Sequence, residues 1–125
     1  MHRGFLLIGS LFGLTGVLMG AFGAHALRSR LPIEMLIAFE AGVRYQMYHA
    51  LALLIVAVAI GQLGAARLLV TAGWLFCAGV VLFSGSLYAL TLTGTTALGA
   101  ITPVGGAMFL GGWACLAAFA LLRKE

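Results

Sequence analysis

The feature that most constrains this chain is a succession of four long apolar runs, broken only by short stretches carrying charge, glycine or proline. A helix rises about 1.5 Å per residue, so roughly 20 residues cross a hydrocarbon layer about 30 Å thick. Runs at 4–26, 42–62, 68–92 and 102–122 meet that length, and charges or turn residues lie at their ends. The expected fold class is all-α: an integral membrane four-helix up-down bundle, with residues 1–125 forming a single membrane domain.

Composition excludes the main alternatives. With 63% hydrophobic residues, 8% charged and a mean hydropathy of +1.15, too few polar side chains exist to cover a core in water. The net charge of +4 does not point to nucleic acid, because Arg3, Arg28, Arg30, Arg44, Arg67, Arg123 and Lys124 are scattered without a basic stripe. Cys77 and Cys115 lie inside apolar runs with no Cys-x-x-Cys spacing and read as packed small side chains. The chain has no Asp, and His25 and His49 lack a third ligand of the usual kind, so neither a metal nor a cofactor is expected.

The first run ends in Ala24-His25-Ala26, which resembles a small-x-small cleavage site, but its apolar stretch is long for a signal core and is read as a span. Residues 27–41 mix Arg28, Arg30, Glu34 and Glu40 with Ile33, Met35, Leu36, Ile37 and Phe39, and Pro32 suits a first helical turn. That segment is too short and too charged to cross, and is expected to form a short interfacial helix running on into span two. Gly61-Gln62-Leu63-Gly64 and Thr93-Gly94-Thr95-Thr96 are turns, making successive helices antiparallel neighbours. The face bearing both termini carries Arg3, Arg67, Arg123 and Lys124 against Arg28, Arg30 and Arg44 opposite, which favours cytoplasmic termini.

Within span one, Gly9, Gly13, Gly16, Gly20 and Gly23 recur at intervals of four, three, four and three, placing them on one stripe. In lipid, helices gain little from burying apolar surface, so close contact across small residues is a main associative force. The stripe serves packing inside the monomer or contact with a second copy. Trp74 and Trp113 lie well inside their spans and read as packing residues.

Alternating helices bring the end of span one, the start of span two, the end of span three and the start of span four to one membrane face. The unusual polar residues gather there: His25; Glu40, Arg44, Tyr45, Gln46, Tyr48 and His49; Ser84, Ser86 and Tyr88; Thr102 with Pro103. At about 1.5 Å per residue His49 lies roughly 10 Å below the interface. An imidazole or a charge at depth is costly unless paired or hydrated, so the cluster reads as a pocket or conduit. The structural alternative has Arg44 snorkelling, Tyr45 and Tyr48 in an aromatic belt and the serines bonded to helix carbonyls.

Four segments resemble one family: Gly20-Ala-Phe-Gly-Ala-His25, Arg44-Tyr-Gln-Met-Tyr-His-Ala-Leu-Ala-Leu53, Leu82-Phe-Ser-Gly-Ser-Leu-Tyr88 and Ile101-Thr-Pro-Val-Gly-Gly106 are similar to the YgdD-like small membrane proteins. The resemblance covers essentially the whole chain in order. It implies a bacterial inner-membrane protein of a family of unknown function and supplies no established role for any motif position.

Three functions compete. The first is binding of a lipid headgroup, a small polar ligand or a partner protein, including a second copy, at the shared polar face. The second is proton or small-solute transport through His49 and His25, although the opposite half offers only Ser10, Thr15 and Thr71 as polar steps. The third is an enzyme with His49 as base and Ser84 or Ser86 as nucleophile, for which no orienting acid stands within reach.

Overall fold

Residues 2–125 are described by a computed structural model. The apolar runs become four helices long and hydrophobic enough to cross a membrane: α1 (His2–Leu27), α2 (Ile33–Leu63), α3 (Arg67–Thr93) and α4 (Thr96–Leu122). No strand occurs among the described residues. The links are short because glycine ends the helices. Gly64 (φ +90°) and Gly94 (φ +71°) both adopt the positive φ that L side chains resist, and each returns its N–H to a carbonyl four residues back, Ile60 and Leu90 respectively.

Residues 33–41 do run on into span two, as one uninterrupted helix rather than a separate interfacial one, and Pro32 caps it from just outside. At 31 residues α2 is about 46 Å long. It outreaches a hydrocarbon layer of about 30 Å, and the end that projects is the one carrying Glu34 and Glu40. Two helices contain single π-helical turns, Gly23–Leu27 closing α1 and Val80–Ser84 inside α3, while α4 opens with a 3-10 turn at Thr96–Ala100.

The helices do not contribute equally to the core. In the apolar windows of α2 and α3, 44% and 39% of residues are buried, against 17% in α1 and α4. Thus α2 and α3 form the centre, α1 packs on α2, and α4 packs on α3. Leu6, Leu11, Leu14 and Val17 of α1 and Leu110 and Leu121 of α4 face outward, where lipid chains solvate them.

Contact across the seams is made by rings seated on glycines. A methyl group at Gly23 would stand 2.8 Å from the Phe39 ring, one at Gly42 2.9 Å from Tyr88, and one at Gly112 2.5 Å from Phe76. Phe5 occupies the space over Gly73 and Phe109 that over Gly79 in the same way. Without a hydrophobic drive between helices in lipid, this intimacy supplies dispersion contact that bulkier residues would forbid. The glycine stripe of α1 faces α2 inside the monomer: Gly9 meets Ala50 and Leu53, Gly16 meets Met47, and Gly20 meets Val43. Gly13 differs, with open space where its side chain would be.

Candidate functional site

The polar residues expected to form one cluster separate into a buried network, two interhelical clips, an open groove and an exposed rim. Gln46 is the centre of the network because it lies on the face of α2 between α1 and α3. Its amide donates to the Phe12 carbonyl (2.9 Å) and to Thr15 Oγ1 (2.8 Å), and its Oε1 accepts from the Tyr88 hydroxyl (2.7 Å). One side chain, 4% exposed, thereby ties three helices. An amide at this depth needs such partners, since no water competes for it.

The serines act as clips. Ser84, at the end of the π turn and fully buried, donates to the Gly42 carbonyl of α2 at 2.6 Å. Ser86 shares a 2.6 Å hydrogen bond with Thr102 of α4 and also donates to the Phe83 carbonyl. Among the described residues every buried side-chain nitrogen or oxygen has a partner. The serine hydroxyls therefore belong to a different bonding set from His49.

His49, three residues on and about 60° round α2 from Gln46, is turned towards α4. Its Nδ1–H donates to the Tyr45 carbonyl at 2.7 Å, and Nε2 accepts the Trp113 indole N–H at 3.0 Å. A carbonyl can only accept and an indole N–H can only donate, so the two bonds select the neutral ring protonated on Nδ1. The imidazole stacks on Phe109 with centroids 3.6 Å apart and planes 8° from parallel. Phe76 and Trp113 approach it at 5.4 and 5.9 Å.

Of this group, His49, Phe109 and Trp113 floor an open groove of about 720 Å³ between α2 and α4. Tyr45 and Tyr48 form the α2 wall, while Pro103, Gly106, Ala107 and Leu110 form the α4 wall, with Phe83 reaching in from α3. The groove exists because α2 and α4 each pack on α3 more than on each other. Its position follows from the helix ends: Tyr45 and Pro103 stand near the interface, and Trp113 lies about 15 Å deeper along α4. The phenols of Tyr45 and Tyr48, 40% and 54% exposed, stand at the shallow end.

The remaining expected residues are peripheral. His25 is exposed on the terminal π turn of α1, and Glu40 and Arg44 are exposed on the outer face of α2. Among the described residues no three His, Cys, Asp or Glu side chains gather where they could hold a metal, and Cys77 and Cys115 are both free thiols. Sequence reasoning missed Trp113, Phe109 and Thr15 as parts of these sets. An indole N–H inside a span was itself the signal, since it must find an acceptor there.

Comparison with known proteins agrees with the four motifs. The family described as "Protein of unknown function (DUF423)" matches residues 19–106, an interval that contains all four. The UPF0382 membrane protein YwdK of Bacillus subtilis (strain 168) is 48% identical over 109 residues, 87% of this chain and 89% of that protein. The UPF0382 membrane protein SH2409 of Staphylococcus haemolyticus is 46% identical over 112 residues, 90% of each chain. No solved structure matches. With the matched interval and such relatives covering most of its length, the chain belongs to the DUF423 family of small membrane proteins of unknown function.

Proposed function

We propose that the chain binds a membrane lipid from the side, in the groove between α2 and α4. The observation that carries this reading is the pairing of a deep apolar, aromatic trough with two phenols at its shallow end. An acyl chain lying along Phe83, Phe109 and Leu110 gains dispersion contact, while the ester region meets the hydroxyls of Tyr45 and Tyr48. Arg44, four residues before Tyr48 and exposed on the adjoining face, adds a cation at the level of lipid phosphates. The His49–Trp113 and His49–Tyr45 bonds occupy the polar atoms of the floor, leaving it apolar towards the occupant. We place the chain in the bacterial cytoplasmic membrane with both termini cytoplasmic, a reading supported by Arg3, Arg67, Arg123 and Lys124 on that face.

Ala107→Trp tests the reading, because it fills the trough from its exposed wall and leaves every interhelical hydrogen bond in place. Native mass spectrometry of protein purified in mild detergent measures co-purified lipid. The expected result is bound lipid on the wild type and a several-fold loss in the variant, with a smaller loss in the Tyr45→Phe, Tyr48→Phe double variant. Equal lipid retention in wild type and Ala107→Trp refutes it. A variant that instead loses a dimer would assign the groove to a second copy of the chain.

A further inference from the structure

A second, smaller cavity of about 240 Å³ lies where the end of α1 turns into α2, away from the aromatic groove. Gly23 and Ala24 form its α1 side, Arg28 comes from the turn, and Ile33, Leu36, Ile37 and Glu40 come from the first turns of α2. Its two charged groups have opposite sign and come from different elements, and both are exposed. The π turn at Gly23–Leu27 and the packing of Phe39 over Gly23 fix the angle between those elements. Since α2 outreaches the hydrocarbon and Glu40 precedes its apolar run, the cavity opens at headgroup depth.

We propose that this cavity binds the headgroup of a phosphatidylethanolamine. Arg28 supplies a forked cation suited to the phosphodiester, and Glu40 supplies an acceptor for the primary ammonium. Ile33, Leu36 and Ile37 give the glycerol and upper acyl carbons an apolar wall. The chemistry discriminates among headgroups. A choline ammonium cannot donate a hydrogen bond and is normally held by aromatic faces, yet among the described residues no aromatic ring lines this cavity. A phosphatidylglycerol satisfies Arg28 but offers Glu40 no cation. Ethanolamine meets both charges, through an ammonium with three donors.

The test is independent of the aromatic groove. Purified full-length protein in detergent is titrated with dioleoyl phosphatidylethanolamine, phosphatidylcholine or phosphatidylglycerol and lipid binding is read by native mass spectrometry. The wild type is expected to prefer phosphatidylethanolamine over phosphatidylcholine by about tenfold, the scale of one charge-assisted hydrogen bond. Glu40→Gln removes that preference while leaving phosphatidylcholine binding unchanged. Arg28→Gln weakens binding of all three lipids. Both positions are exposed, so neither substitution threatens the fold. Equal binding of the two zwitterionic lipids by the wild type, or a preference that survives Glu40→Gln, overturns the proposal. Binding of soluble glycerophosphoethanolamine as tightly as the lipid also overturns it, since the acyl region would then contribute nothing. Ala107→Trp, which blocks the groove, is expected to leave the ethanolamine preference intact.

Discussion

Two adjacent glycines in α4 make opposite predictions. An alanine at Gly105 would place its methyl 2.7 Å from Phe83 Cβ and 2.8 Å from Phe83 Cα, with the Phe83 backbone nitrogen closer still. Carbon atoms rest at about 3.5–4.0 Å, so α4 must retreat from α3 by roughly 1 Å, because backbone atoms cannot rotate aside as a side chain would. Overpacking of this kind costs about 1–3 kcal/mol, and the rigid neighbour puts this site at the upper end. At Gly106 the nearest atom is Phe83 Cδ2 at 4.0 Å, an ordinary contact. Both substitutions carry the same helix-propensity gain of about 1 kcal/mol, so their difference isolates the steric part. Gly105→Ala is expected to be less stable than Gly106→Ala by about 3 kcal/mol. Unfolding with sodium dodecyl sulfate from dodecylmaltoside micelles, followed by the fluorescence of Trp74 and Trp113, measures that gap. Equal midpoints for the two variants would refute the close approach of α4 to Phe83.

The polar contacts make predictions in the same assay. Gln46→Met keeps volume but removes the links to Phe12, Thr15 and Tyr88, at a cost of about 2 kcal/mol when interhelical bonds in membranes average about 0.6 and reach about 1.7 kcal/mol. Tyr88→Phe costs less, and the double variant should fall short of the sum by about 1 kcal/mol; strict additivity would deny the Tyr88–Gln46 bond. Trp113→Phe keeps an aromatic six-membered ring but loses the pyrrole half of the indole with its N–H, leaving His49 Nε2 without its donor, with an expected loss of at least about 1 kcal/mol. An unchanged midpoint for this variant would mean that the indole N–H contributes nothing to holding α4 against α2.

Hydropathy made the spans legible because each helix must satisfy a length set by the bilayer, and the expected boundaries at 68–92 and 102–122 lie within the helices observed. Residues 33–41 are harder to read. Their charges mark an interface, yet the backbone continues as one helix because nothing between Ile33 and Ala41 breaks it. The stripe of Gly9, Gly16, Gly20 and Gly23 was visible as a 3.6-residue pattern, but which helix it meets depends on tertiary arrangement. Shared membrane face was a sound guide to where polar residues lie, and a poor guide to which of them touch. Gln46 and His49 are nearly one turn apart and only about 60° apart round α2, yet that difference is enough for them to join different helices. From the sequence Trp113 reads as packing alone, because its acceptor lies 64 positions earlier in the chain.

The π turn at Val80–Ser84 explains why periodicity alone could not join those sets. A π turn inserts a residue without interrupting the helix, so everything beyond it rotates by about 100° relative to a continuous α-helix. Before the turn, Phe76 and Gly79 of α3 address Gly112 and Phe109 of α4. Beyond it, Ser86 meets Thr102 of α4, and Tyr88 turns to Gln46 of α2. Ser84, at the junction, binds the Gly42 carbonyl and pins the turn to α2. One helix thereby presents dispersion contacts to its neighbours at one depth and hydrogen bonds at another. The groove lies alongside this change of register, with Phe83 of the π turn reaching into it, so the same local insertion that knits α3 to both partners also sets the shape of the proposed lipid site.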